Sequence, residues 1–227
     1  MERLVRSVRD FVQPLVPRGS LEAGGSFRLD EDAAVQGTRL HGRIQKRLAG
    51  EHPQLEAERS LAWTYEAEGF ACLVRGRTDV FIPGREPILE EIKTTLRPQA
   101  LLRDLAADPE HPFLQQVRMY AFMLAADGER VPQCRLRVAS LLDETEAVLE
   151  VALDLEAFGA WVEAQGRGLH RQHQRALARR AERRRIGEDL AFPFPAPRSG
   201  QERLQAQVEA SLAAGSRLLV QAPTGLG

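Results

Sequence analysis

The chain has 227 residues, 43% hydrophobic and 28% charged, with 31 basic residues against 32 acidic ones and a formal net charge of −1. That is enough for one large domain or two small ones with a real core. It holds no apolar run of the roughly 18 residues a membrane helix needs, and the basic start Met1-Glu-Arg-Leu-Val-Arg6 leads into no apolar stretch of the secretory kind. A cytoplasmic protein with no membrane partner is therefore expected. Cys72 and Cys134 are too few for a four-cysteine zinc or iron–sulfur site and are expected as buried thiols.

Residues 1–24 read as helix and then loop. Leu15-Val-Pro-Arg-Gly-Ser20 spells a protease site used in expression tags, but no histidine run precedes it and we read it as native. A helix is expected over 31–49, capped by Asp30 or Asp32. Gly37, Leu40, Ile44 and Leu48 fall on one face, with His41 at its edge. Strands follow: a short one at Ala62–Glu66, a long one at Phe70–Ile82 and another at Ile88–Thr94. Pro83-Gly-Arg-Glu-Pro87 turns between the last two.

A short helix is expected over 98–107 and an amphipathic one over 113–126. Arg135–Ala139 and Ala147–Leu153 alternate like a hairpin, and 155–188 read as one or two long helices. Between Arg167 and Arg185 stand eight arginines, Arg175 and Arg179 among them, against the single acid Glu182. Such a stretch is either a phosphate-binding surface or a solvated helix face. After the proline-rich segment Phe192–Gly200, a helix is expected over 201–214 and a strand over Arg217–Gln221.

The most informative segment is the hairpin carrying Asp79 and Glu91. Pairing about Arg85 sets Ile82 opposite Ile88 and Asp79 opposite Glu91, with Cβ atoms roughly 4.5–5.5 Å apart on one face. Lys93, two residues on, shares that face, whereas Glu90 and Ile92 point the other way. Two carboxylates so placed bind a hard divalent cation, share a proton or both face water. The basic residues include only two lysines, Lys46 and Lys93. A lysine beside the carboxylates in an arginine-dominated chain suggests a need for a compact ammonium.

Asp79 followed by Glu91-Ile-Lys93 resembles the Asp…(Asp/Glu)-x-Lys core of restriction-endonuclease-like nucleases. Upstream, Gly37-Thr-Arg-Leu-His41 resembles the Gly-x-x-x-His element of the RecB-type branch. Downstream, Gln116-Val-Arg-Met-Tyr120 resembles its Gln-x-x-x-Tyr element, with Gln116 and Tyr120 stacked on one helix face about 6 Å along the axis. Singly, His41 and Tyr120 would pass as ordinary packed side chains; the order and spacing of the set argue otherwise. The other four histidines match no element.

The resemblance covers most of residues 25–165. It implies an α/β fold in which a central mixed sheet flanked by helices carries the site, followed by the arginine-rich helix. It implies Mg²⁺ or Mn²⁺ held by His41, Asp79, Glu91 and the Ile92 carbonyl, with Lys93 acting on the water and Gln116 and Tyr120 holding Lys93 or the DNA backbone. Arg77, on the Asp79 face, is a weaker phosphate contact. The four-cysteine iron–sulfur cluster of some members is not expected here.

Phe192–Gln201 and Ala222–Gly227 resemble the start of an XPD/DinG-like superfamily 2 helicase. Gln201 would then read adenine, and Thr224, Gly225 and Gly227 would belong to a phosphate-binding loop whose lysine and threonine lie beyond the chain. The implied organisation is a nuclease domain over 1–190 and the beginning of an ATPase over 191–227. ATP and helicase activity would belong to a longer form, with the motor in cis.

Three functions stand open at this point. The leading one is a nuclease on DNA, single-stranded or with a free end, in repair or defence. The others are a catalytically weak module delivering DNA to the motor, and a mere helicase fragment. The intact Asp79, Glu91 and Lys93 set favours the first.

Overall fold

The computed structural model describes residues 2–15, 31–188, 196 and 200–221. The chain divides into two compact units, residues 1–173 and 174–227. The first is a central mixed sheet flanked by helices. In chain order it contains β1 (Glu2–Ser7), α1 (Val8–Phe11), α2 (Glu31–Glu51), β2 (Glu56–Ala67), β3 (Phe70–Ile82) and β4 (Ile88–Thr95). Then come α3 (Pro98–Ala107), α4 (Pro112–Ala126), β5 (Gln133–Ser140), β6 (Glu146–Glu150) and the start of α5 (Leu155–Glu188).

The strand order is β1-β3-β4-β5-β6, with β2 also on β3. β1 runs parallel to β3, β4 runs parallel to β5, and the other pairs are antiparallel. The sheet has two apolar faces, as a sheet covered on both sides must. On one, Leu40, Ile44 and Leu48 of α2 pack on Val80, Ile82, Ile92 and Ala139. On the other, Val117, Tyr120, Ala121 and Leu124 of α4 join Phe81, Leu89, Leu136 and Val138. The helix expected over 31–49 is thus present, and its periodic residues are the ones buried.

Residues 2–7 differ from expectation. Glu2–Ser7 is a strand, not a helix, because its backbone finds a partner in Phe70–Arg75. Ser7 then caps the single turn of α1, its Oγ accepting from the Asp10 amide at 3.0 Å. β2 is longer than expected. Its polar beginning, Glu56-Ala-Glu-Arg-Ser60, hides a strand that pairs with β3. In the segment Ala147–Leu153 the strand ends at Glu150, and the Val151 amide adds one bond to the Cys134 carbonyl at 2.8 Å.

In the second unit, the rest of α5 is exposed and α6 (Gln201–Ala213) buries no residue. Arg217–Gln221, expected as a strand, has no regular structure, and Leu219 is 97% exposed. A strand needs a partner for its amides, and no strand lies in this unit among the described residues. Thr224, Gly225 and Gly227 lie outside the described residues. Cys72 and Cys134 are buried thiols. Among the described residues, no helix is long and apolar enough to cross a membrane.

Candidate active site: a notch in the sheet

β3 is covered along one edge by β2, from Phe70 to Phe81. Its other edge is shared. β1 pairs with Phe70–Arg75, and β4 pairs only with Val80–Ile82. Gly76, Arg77, Thr78 and Asp79 therefore face a gap where the ladder opens.

The expected register holds for Ile82 with Ile88, Phe81 with Leu89 and Val80 with Glu90, but does not continue to Asp79 and Glu91. Instead, the Asp79 carboxylate occupies the gap, and its Oδ2 accepts from the Ile92 amide at 2.7 Å. A side chain thus replaces one rung of the ladder and fixes its own orientation.

Both helical layers reach this notch. From α2, His41 Nε2 lies 3.5 Å from Asp79 Oδ1. One turn earlier, a Cβ on Gly37 would sit 2.9 Å from Thr94 Oγ1. The bare glycine lets α2 approach β4 closely enough to deliver the histidine. One turn later, Gln45 donates to the Asp79 carbonyl at 2.8 Å and to Glu58 Oε1 at 3.2 Å.

From α4, Gln116 bridges the other half of the site. Its Nε2 donates to Glu91 Oε1 at 2.7 Å, and its Oε1 accepts from Lys93 Nζ at 3.1 Å. Lys93 also donates to Glu91 Oε1 at 2.7 Å and lies 4.8 Å above the Phe113 ring. The Tyr120 hydroxyl accepts from Gln116 Nε2 at 3.4 Å. Its ring fills the notch beside Gly76, where a Cβ would come within 2.6 Å of it.

The electrostatics are unbalanced. Glu91 is 3% exposed. Burial pushes its carboxyl up to about 7, against the pull of Lys93 and with help from the Asp79 charge. Asp79 is raised too, mainly by burial, while the Ile92 amide, His41 and Lys93 oppose the rise. Burial together with the Glu91 charge also raises the Tyr120 phenol. Glu91 Oε2 and His41 Nε2 are buried and accept or donate no hydrogen bond among the described residues. Glu91 and His41 thus keep hydrogen-bonding capacity unfilled, and carboxylate oxygens and imidazole nitrogens are hard ligands suited to a divalent cation.

The structure brings His41, Asp79, Glu91, Lys93, Gln116 and Tyr120 together. Ile92 contributes its amide to Asp79. Arg77 is exposed and pairs with Glu58, Nε to Oε2, at 3.4 Å. Arg175 and Arg179 are exposed on α5 within the second unit, and Gln201 begins α6. Sequence reading missed Gln45 and Glu58. Gln45 lies one helical turn beyond His41, so the helix period was a signal for it. Glu58 had none, because β2's register on β3 is non-local.

No family model and no curated relative matches the chain. Among solved structures, that of SSO0001 is 18% identical, with 73% of this chain and 76% of that one covered and a TM-score of 0.48. An alkaline exonuclease from Laribacter hongkongensis, LHK-Exo, is 17% identical, with 75% and 94% covered and a TM-score of 0.40. LHK-Exo in complex with dAMP gives 16%, 78% and 93%, and 0.46. These are likenesses of general architecture.

Proposed function

We propose that this chain is a divalent-metal-dependent deoxyribonuclease whose centre is the notch at Asp79. The observation that carries the reading is the charge deficit. Two buried carboxyls are pushed up, one keeps an oxygen with no partner, and a lysine stands 2.7 Å from the other oxygen. His41, Asp79, Glu91 and the Ile92 carbonyl would hold Mg²⁺ or Mn²⁺. Bound there, the cation polarises a phosphoryl oxygen and makes water more acidic.

The chain's own groups do the rest. Gln116 bonds both Lys93 and Glu91 and would hold the ammonium beside a phosphate and its attacking water. Lys93 places that water and offsets the charge that grows on phosphorus. Tyr120, kept protonated by its surroundings, donates to a backbone oxygen. Hydrolysis adds water across one P–O bond, and the departing oxygen leaves with a proton. Arg77 would meet another phosphate of the strand, and Arg175 and Arg179 are candidates for phosphate contact on their own unit. A motor in cis and its ATP rest on the sequence of 192–227 alone, as does placing the chain in repair or defence.

End-labelled single-stranded DNA incubated with Mg²⁺ or Mn²⁺ tests the reading. Wild type should cleave, EDTA should stop it, and Lys93→Ala should slow it by about 10²–10³-fold, the scale of losing one aimed charge in a dry site. DNA retarded on a gel but left uncut under either metal would instead favour a binding module.

A further inference from the structure

Glu58 lies in β2 between two paired residues, Ala57 opposite Val80 and Arg59 opposite Thr78. That places it directly across the strand pair from Asp79. Its φ is +53°, the left-handed region that only glycine adopts freely. Its carboxylate is held over the notch by Gln45 at 3.2 Å and Arg77 at 3.4 Å. A ligand atom from each of His41, Glu58 and Asp79 lies within 4.8 Å of the others. That span suits donors surrounding one cation at about 2.1–2.5 Å.

Three such groups need more than proximity, since acids on a strand edge are common beside water. The second observation is a buried carboxylate near enough to sense them, that of Glu91. Glu91 Oε2 has no partner among the described residues, and its carboxyl feels the charges of both Asp79 and Glu58. His41 Nε2, the imidazole atom of the group, is also buried without a hydrogen bond. Unfilled hydrogen-bonding capacity on both Glu91 and His41 therefore accompanies the three-ligand group.

We infer that Glu58 is a metal ligand of this chain, holding a divalent cation together with His41 and Asp79. The inference rests on reading the notch as a metal centre and adds to it a carboxylate from the neighbouring strand. Glu58 closes the solvent side, while Glu91 closes the buried side. Arg77, paired with Glu58 before the cation arrives, is then released toward a phosphate.

Mn²⁺ binding to the whole chain, followed by calorimetry without nucleic acid, tests this. Wild type should bind and Asp79→Asn should lose most of that binding. Glu58→Gln should weaken it by about 10-fold, with an unchanged melting curve in EDTA, whereas Glu66→Gln, an exposed acid of the same strand, should match wild type. Glu58→Gly separates ligand from scaffold. Glycine tolerates the left-handed backbone, so its metal-free Tm should not fall, yet its Mn²⁺ affinity should fall as in Glu58→Gln. Wild-type affinity in both Glu58 variants, with Asp79→Asn defective, would overturn the role of Glu58 alone. A wild-type chain that binds no Mn²⁺ would overturn both this inference and the metal centre beneath it.

Discussion

Glu90 and Glu91 are neighbours in β4, and each is 3% exposed. Their surroundings differ completely. On the α2 face, both oxygens of Glu90 accept from Arg137, which also pairs with Glu146, while Arg47 of α2 reaches Glu146 at 2.6 Å. That is a closed network joining β4, β5, β6 and a helix. On the α4 face, Lys93 and Gln116 share one oxygen of Glu91, and the other has no partner among the described residues. Burial of a carboxylate therefore does not mark a functional site. A buried carboxylate whose hydrogen-bonding capacity is left unfilled calls for a partner outside the chain, because burying it unpaired costs free energy.

Substitution should expose the two roles as opposites. Glu90→Gln removes the charge facing a mostly buried guanidinium. It should lower stability by about 1–3 kcal/mol, on the scale of breaking a charged, partly buried contact, measured as a drop in Tm. A Tm equal to wild type would remove the distinction between the two faces.

Glu91→Gln should move stability the other way in metal-free protein. Glu91 sits at about 7 in the folded chain against an ordinary 4.5. Between those values the native state holds more protons than the unfolded one, so stability falls as pH rises through that window. In EDTA, wild type should melt lower at pH 8 than at pH 5. Glu91→Gln should recover on the order of 5 °C at pH 8 and little at pH 5. Equal pH slopes in the two proteins would mean that Glu91 carries no such penalty.

Much of this contrast is readable from sequence because it is local. The turn at Pro83–Pro87 sets the β3–β4 register, and the strand period then separates Glu91 and Lys93 from Glu90 and Ile92. The helix period places Gln116 above Tyr120 and His41 beside Leu40 and Ile44. What is not readable depends on distant pairing. β1 forms only because β3 offers it an edge, β2 extends through polar residues, and the gap at Gly76–Asp79 exists because two different strands share that edge. Glu58 enters the site through the same non-local register. Nothing in the order of residues along β3 says that the ladder stops one rung before Asp79.

The smallest expected effect concerns the second unit. Arg175→Ala with Arg179→Ala removes two exposed cations from a helix whose charge is mostly positive. If that helix meets DNA, affinity should fall a few-fold at low salt, with a shallower salt dependence by about one to two counterions. Cleavage of saturating DNA and the Tm should stay as they were. An unchanged salt slope would assign the arginines to a solvated face.

The most direct measurement is single-turnover cleavage of single-stranded DNA with Mn²⁺ by Glu91→Gln and Glu90→Gln side by side, at a temperature where both are folded. The metal-centre account predicts a loss of about 100-fold or more for Glu91→Gln and a rate within a few-fold of wild type for Glu90→Gln. Equal rates in the two variants, or a greater loss in Glu90→Gln, would contradict it.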